Sequence, residues 1–439
     1  MRALQVITGL GVGGAEQQLL LLLRHLPLEC EVVTLTNPGP VARALRADGV
    51  RVHHLGMGGN RDLGALPRLT ALIRSGRYDL VHTHLYRAGV YGRVAARLAG
   101  VRATVSTEHS LGAAEIEGRP LTRRVRALYL ATERLGAATV AVSPTVAARL
   151  RAWGVPDERI HLVPNGIDAA RFRFDPAVRA AVRASLGIGP GEFVVAGVGR
   201  LVSGKRFDTL IRAVAGLPGT HLLLAGDGPR RASLESLAAR LSIAHRVHFL
   251  GECDAPRRAP APEGPPPFPE AAAGAAAGPG AGPGAGPGPA AGPVRPPGPP
   301  GPPGPSPPAG GAGAPGAWRA SGVPGVLCAG DVFVSASREE AFGLAVVEAL
   351  AAGLPVLHGA CPAVEDLPAG QAPGSRRIDG PPEELAGALR RLRSAGARRL
   401  EAPPAVRHYS IASSGERLME VYERVLAGPS HPTTERARS

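Results

Sequence analysis

The stretch "SREEAFGLAVVEALAAGLPV" sets two carboxylates, Glu340 and Glu348, on either side of a glycine turn. The pattern predicts that Glu340 closes a strand, that Phe342 and Gly343 turn the chain, and that a helix begins near Leu344. Glu348 then falls one turn into that helix. The free N–H groups at a helix start can hold a phosphate. A carboxylate at Glu348 can accept from the two hydroxyls of a ribose, and Glu340 from the hydroxyls of a sugar beyond the phosphates. Taken singly, each glutamate reads better as a solvated residue on an amphipathic helix.

A second chemical pattern lies in "LQVITGLGVGGAE", where Gly9, Gly11 and Gly14 have G-x-G-x-x-G spacing between a strand and a helix. A dinucleotide site needs an acidic residue at the end of the next strand. That strand, "EVVTLTN", ends without one, which excludes a dehydrogenase. Two readings survive: a loop offering N–H groups to an anion, or a tight turn needing positive φ. Histidines form the third group. His109, in "VSTEHS", falls at the C-terminal end of a strand, the edge where open α/β sheets gather ligand-contacting residues. His82 and His84, in "YDLVHTHL", share one face of a strand and are expected to line a cleft. Zinc is the alternative there, but no further ligand pattern accompanies them. No Asp-x-Asp element follows a strand, so no metal is expected. Cys30, Cys253, Cys328 and Cys361 lie far apart, as reduced cytosolic thiols do.

The elements that must position these groups alternate strictly. "ALQVIT", "CEVVTLT", "VRVHHLG", "YDLVHTH", "RATVSTEH" and "ATVAVS" are strand-like runs separated by helical patterns. A second series begins near Glu192 with "FVVAGVGR", "HLLLAG", "VHFLG", "DVFVSAS" and "PVLHG". Such alternation predicts parallel sheets covered on both faces. The expected α/β architecture is two doubly wound Rossmann-like domains facing across a cleft, spanning 1–172 and 173–410. Residues 411–428 form a final helix returning to the first domain, and 429–439 a flexible tail. Between 254 and 325 the rhythm stops. This Pro/Gly-rich insertion buries little apolar area, and disorder is expected.

The composition is basic, with net charge +14, yet the arginines are spread evenly and form no nucleic-acid stripe. "RPLTRRVRALYLATERLG" places Leu121, Val125, Leu128 and Leu135 on one helical face. It reads as a solvated surface helix or as a basic face resting on an anionic membrane. The apolar run after Gly14 is broken by Glu16, Gln17 and Gln18 before it reaches spanning length, and no secretion signal is read. The expectation is a cytoplasmic protein, with peripheral contact to the inner face of the plasma membrane left open.

Taken together, "GGAE", "TEHS", "AVSPTVAARL", "VPNGID", "VGRLVSGKRFDTLIRAV", "LLLAGDGP" and "EAFGLAVVEALAAGLPV" stand in the order found in one family. The chain resembles the family-4 retaining glycosyltransferases of the GT-B fold. The resemblance implies transfer of a sugar from a nucleotide-diphosphate donor to a polysaccharide, lipid-linked or small-molecule acceptor, with no cofactor. It implies that Arg200 and Lys205 grip the donor diphosphate and that Gly13 and Gly14 face it from the other domain. Glu348 would bind the ribose, Glu340 the donor sugar, and the backbone at Phe342, Gly343 and Leu344 would approach sugar and phosphate. His109, Lys205 and Glu340 form the implied catalytic set. Lys205 is the only lysine in the chain. A compact ammonium fits beside a diphosphate where a second planar fork does not. The insertion departs from the family, at the place where relatives cradle the base. Glu365 is the nearest acidic residue in a loop that also departs. A nucleotide-sugar-binding scaffold with lost activity, and a nucleotide-sugar epimerase, are the competing readings.

Overall fold

The computed structural model describes residues 1–59, 62–113, 115–117, 119–253, 317–396 and 398–428. The first sheet contains β1 (Arg2–Ile7), β2 (Glu29–Thr34), β3 (Arg51–His54), β4 (Leu80–His84), β5 (Thr104–Glu108), β8 (Ala138–Ala141) and β9 (Ile160–Leu162). They run parallel in the order β3-β2-β1-β4-β5-β8-β9. A small antiparallel ribbon, β6 (Glu115–Ile116) with β7 (Arg119–Pro120), stands apart from this sheet. The second sheet contains β10 (Phe193–Val198), β11 (Thr220–Ala225), β12 (Val247–Gly251), β13 (Val332–Ser335), β14 (Val356–His358) and β15 (Ser375–Arg377). Its order is β12-β11-β10-β13-β14-β15. Both sheets reverse their winding beside their first strand, and the loops after β1 and β10 therefore open at the switch points where ligands bind.

Helices cover both faces of the central strands, so every residue of β4, β5 and β11 is buried, including the polar ones of β4 and β5. The helix Phe207–Ala215 buries Phe207, Leu210, Ile211 and Val214, the i, i+3, i+4, i+7 stripe of an amphipathic helix. The final helix, Ile411–Ala427, sets Ile411, Leu418, Val421 and Tyr422 against Leu21, Leu22, Val105 and Val140 of the first lobe. One apolar cluster runs through both lobes, joining Leu111, Tyr129 and Trp153 to Phe342, Val346 and Tyr409.

Three expectations change. Glu340 does not close a strand: β13 ends at Ser335, and the chain then leaves the sheet so that the Arg338 N–H can donate to Gly204 O (3.0 Å). The expected insertion ends earlier than 325, because Ala317–Ala329 is helical with a break at Gly322 (φ 59°). The C-terminal end of that helix is held by Arg179, Arg183 and Arg399. Their guanidinium groups donate to the carbonyls of Cys328, Ala329 and Gly330, and the first two also pair with Asp331. These contacts satisfy helix-end carbonyls that would otherwise lack partners. The basic helix is also shorter than its pattern, covering Arg123–Glu133, because Thr122 caps Val125 N. Its core face is Val125 and Tyr129, while Leu128 is 48% exposed. The rest of the insertion and the expected tail lie outside the described residues. Among those described, no helix is long and apolar enough to cross a membrane.

Candidate active site

On the first lobe, β1 leads through the glycine loop to the helix Gly14–Leu23, with Gly13 extended at its N-cap. A Cβ added at Gly14 would lie 3.4 Å from Leu344 Cδ1, so the glycine loop directly faces the second-lobe turn. Glu16, one turn into the same helix, has its carboxyl pushed up to about 7. Burial is the main cause; its own backbone N–H and Arg200 oppose it, while Glu117 and Glu252 add to it. Glu16 thus shares the electrostatic field of Arg200 on the other lobe. In sequence Glu16 stood out only within "GGAE" and as a break in the apolar run; a carboxyl in the first turn of a helix whose start could hold an anion was the available signal.

On the second lobe, β10 ends at Val198, and Arg200 and Lys205 follow in a loop closed by the turn Ser203–Lys205. The "AGDGP" loop packs against it. The Leu201 N–H donates to Asp227 O (2.9 Å), and a Cβ at Gly226 would strike the Gly199 carbonyl. The close approach of these two backbones explains that glycine motif. Lys205 Nζ forms an ion pair with Glu340 Oε1, the two side chains being 28% and 16% exposed. Gly343 caps the helix Leu344–Ala351 with φ +105°, a left-handed conformation, and a Cβ there would come within 2.5 Å of Cys361 Sγ. Phe342 is buried edge-on against Tyr409, at 4.9 Å between ring centroids. Glu348 has its carboxyl pushed up to about 7 by burial, opposed by the Arg171 guanidinium.

His109 is half-buried at the end of β5, two strands along the sheet from the glycine loop. Burial pushes its imidazole down to about 4. Its Nε2 lies 3.1 Å from His84 Nδ1. His82 and His84 do share a face, but they do not line the cleft: they are 0% and 1% exposed. The last helix covers them, Tyr422 Oη lying 2.6 Å from His82 Nδ1. Glu365 pairs with Arg377 at 3.0 Å and accepts from the Cys361 N–H (3.3 Å). Among the described residues, no group of three or more His, Cys, Asp or Glu is placed to hold a metal ion.

The sequence reading missed a clasp beside Glu340. Glu339 accepts from the Ala113 N–H and pairs with Arg149 (2.7 Å). Ser143, the N-cap of Pro144–Trp153, donates its hydroxyl to Ala341 O (2.7 Å), and Thr145 Oγ1 donates to Asp366 (3.0 Å). The signal was the "SPT" of "AVSPTVAARL", which read only as a helix start.

Three family models match in sequence. Residues 12–171 match "Glycosyltransferase Family 4", and residues 178–259 and 315–394 match two models described as "Glycosyl transferases group 1". The chain belongs to the group 1 glycosyltransferases. The stretch that no model matches between the last two is most of the Pro/Gly-rich insertion. The D-inositol 3-phosphate glycosyltransferase of Nocardia farcinica is 36% identical over 195 residues, which is 40% of this chain and 42% of that protein. The chain thus matches less than half the length of that relative. The protein of that name from Rhodococcus erythropolis is 28% identical over 452 residues, 92% of this chain and 85% of that protein. Among solved structures, Anabaena HepE in complex with UDP-glucose has a TM-score of 0.71 at 19% identity, covering 96% of this chain and 99% of that one. Sucrose-phosphate synthase from Thermosynechococcus elongatus has a TM-score of 0.61 at 20% identity, covering 97% of each. At these identities the likeness shows the fold, two Rossmann-like lobes in the GT-B arrangement.

Proposed function

We propose that the protein moves a sugar from a nucleotide-diphosphate donor to an acceptor hydroxyl with retention at the anomeric carbon. The observation that carries this reading is the meeting of Gly14 with Leu344 beside the Lys205–Glu340 pair. A glycine loop, two cations and a left-handed glycine turn converge there from two lobes. Arg200 and Lys205 neutralise the diphosphate as the bond from the anomeric carbon to phosphate oxygen breaks, the point where electrostatic stabilisation counts most. Glu340 balances the ammonium and turns its free carboxylate oxygen to the sugar hydroxyls. Glu348 accepts from the ribose, the backbone at Phe342–Leu344 approaches the phosphates, and neutral His109 hydrogen-bonds the transferred sugar. Cleft closure excludes water and aligns the acceptor on the face that the diphosphate leaves. No side chain is assigned as a covalent nucleophile.

UDP-glucose in the HepE complex supports a nucleotide sugar as donor. The name of the inositol phosphate relatives supports a phosphorylated polyol as one acceptor class, beside polysaccharide and lipid-linked acceptors at the inner membrane face. The test is calorimetric titration with UDP, GDP and ADP, alongside UDP release from UDP-glucose. Tight binding of one nucleotide, lost in Lys205→Ala, supports the donor site. Binding without turnover of any nucleotide sugar favours the scaffold reading. Failure of all three to bind removes the proposal.

A further inference from the structure

We infer that His84 is a positioning residue for the proposed reaction, holding His109 in one ring orientation and one tautomer through a relay that starts at Tyr422 and passes through Gln5. This rests on the reading of His109 as the histidine beside the transferred sugar.

The relay is continuous. Tyr422 Oη lies 3.3 Å from Gln5 Nε2, Gln5 Oε1 lies 2.9 Å from His84 Nε2, and His84 Nδ1 lies 3.1 Å from His109 Nε2. Burial drives His84 well below its ordinary value and His109 down to about 4, so both rings are neutral at pH 7. A neutral imidazole has one N–H and one lone pair. Gln5 presents its carbonyl oxygen to His84, so His84 Nε2 carries the hydrogen and Nδ1 the lone pair. That lone pair can only accept, so His109 must donate from Nε2. His109 Nδ1 is then a bare acceptor, and it is a buried atom with no hydrogen-bond partner among the described residues. An acceptor left open in this way is matched to a hydroxyl, the group in which a sugar is richest.

The polarity of the whole chain is set at one amide. If Gln5 turned over, its N–H would face His84, each bond would reverse, and His109 would present a donor in place of an acceptor. Tyr422 and Cys30 Sγ (3.7 Å) both lie on the Nε2 side of Gln5 and hold the amide in the observed sense. His82 anchors Tyr422 in turn and reaches Thr107 Oγ1 at 2.7 Å. Buried polar networks of this kind specify geometry when they are satisfied.

Asparagine and glutamine at position 84 separate positioning from packing. The amide of Asn reaches the place of His Nδ1, and that of Gln the place of Nε2. His84→Asn therefore keeps the bond to His109, while His84→Gln keeps only the bond to Gln5. The full chain, labelled with 15N-histidine and assigned with His109→Asn, reports the His109 tautomer directly and without a donor. The expected result is the Nε2–H form in the native chain and a tautomer mixture in His84→Gln, with His84→Asn in between, because its amide meets His109 but no longer takes its sense from Gln5. In UDP release from UDP-glucose, His84→Gln is expected to lose at least about tenfold in kcat with KM within about twofold, as befits a lost hydrogen-bonding alignment. A native tautomer in His84→Gln, or equal losses in both variants, overturns the relay. Undiminished turnover in His109→Ala sinks the reading of His109 itself. An inactive His109→Ala beside a fully native His84→Gln sinks the relay alone.

Discussion

The two faces of the cleft are built from opposite materials. The second-lobe face is charged: Arg200, Lys205, Glu340 and Glu348 stand on loops and a helix end, and the Lys205–Glu340 pair is already formed. The first-lobe face is a glycine loop with the neutral imidazole of His109 two strands along the sheet, and its Glu16 carboxyl is pushed up to about 7. The contrast teaches a division of labour. In the proposed reaction, charge that meets the diphosphate comes from the second lobe, whereas the first lobe supplies close backbone approach and oriented hydrogen bonds.

The sharpest way to break this comparison is Lys205→Ala. Removal of one positioned charge from a leaving-group site is expected to lower kcat by about 10²–10³. A loss confined to KM would show that Lys205 binds the donor without acting on the transition state. Lys205→Arg tests the argument from shape, and recovery to native kcat would refute it.

Gly343→Ala comes next. Its φ of +105° and the 2.5 Å approach of a Cβ to Cys361 Sγ predict a loss of about 1–3 kcal/mol of stability, read by denaturant unfolding. Adding Cys361→Gly relieves the clash but not the backbone strain, so partial recovery is expected. Gly14→Ala, on the opposite face, meets only Leu344 at ordinary contact distance and should leave stability within about 0.5 kcal/mol of native.

The carboxyls give a smaller, pH-dependent contrast. Glu348 ionises near 7 in the folded chain and near 4.5 when unfolded. The unfolded chain therefore releases this proton first, and stability drains away as pH rises from about 4.5 to 7. Glu348→Gln removes that loss. Its melting temperature should match the native one near pH 4.5 and exceed it by roughly 2–4 °C at pH 8, a gain of about 1 kcal/mol. Donor affinity should move the other way, rising through pH 7 in the native chain as Glu348 becomes a carboxylate, with that rise reduced in Glu348→Gln. Tyr422→Phe should have the smallest effect, a lowering of kcat by about threefold, since the Gln5 amide then loses only one of its holds.

The sheets were legible because fully buried parallel strands write themselves as apolar runs, as "LQVI" and "HLLLAG" do. The turn at Gly343 and the helix that carries Glu348 were legible too, since they lie within one short stretch whose spacing is local. His82 and His84 were misplaced for the opposite reason. Their faces are decided by Tyr422, which lies more than three hundred residues away, and period-2 alternation says which residues share a face but not what covers it. Leu128 shows a similar limit: the stripe was real as a pattern, but the core lies along Val125 and Tyr129, one step round the helix, which leaves Leu128 at its exposed edge. The Ser143–Ala341 and Glu339–Arg149 links left no more trace in the sequence than the "SPT" helix start, because each partner looks like an ordinary cap or surface charge until both lobes are present.

The last helix also has a consequence for how the chain is made. The first lobe leaves the ribosome early, yet the apolar face formed by Leu21, Leu22, Val105 and Val140 receives its cover only from residues 411–427. Until then that face is bare, and the young lobe is a natural client for chaperones and a site of early aggregation. Completion of the His82 side of the lobe is thereby tied to completion of synthesis. A nascent chain arrested before Tyr422 would carry the glycine loop and His109 but not the lid that seats them.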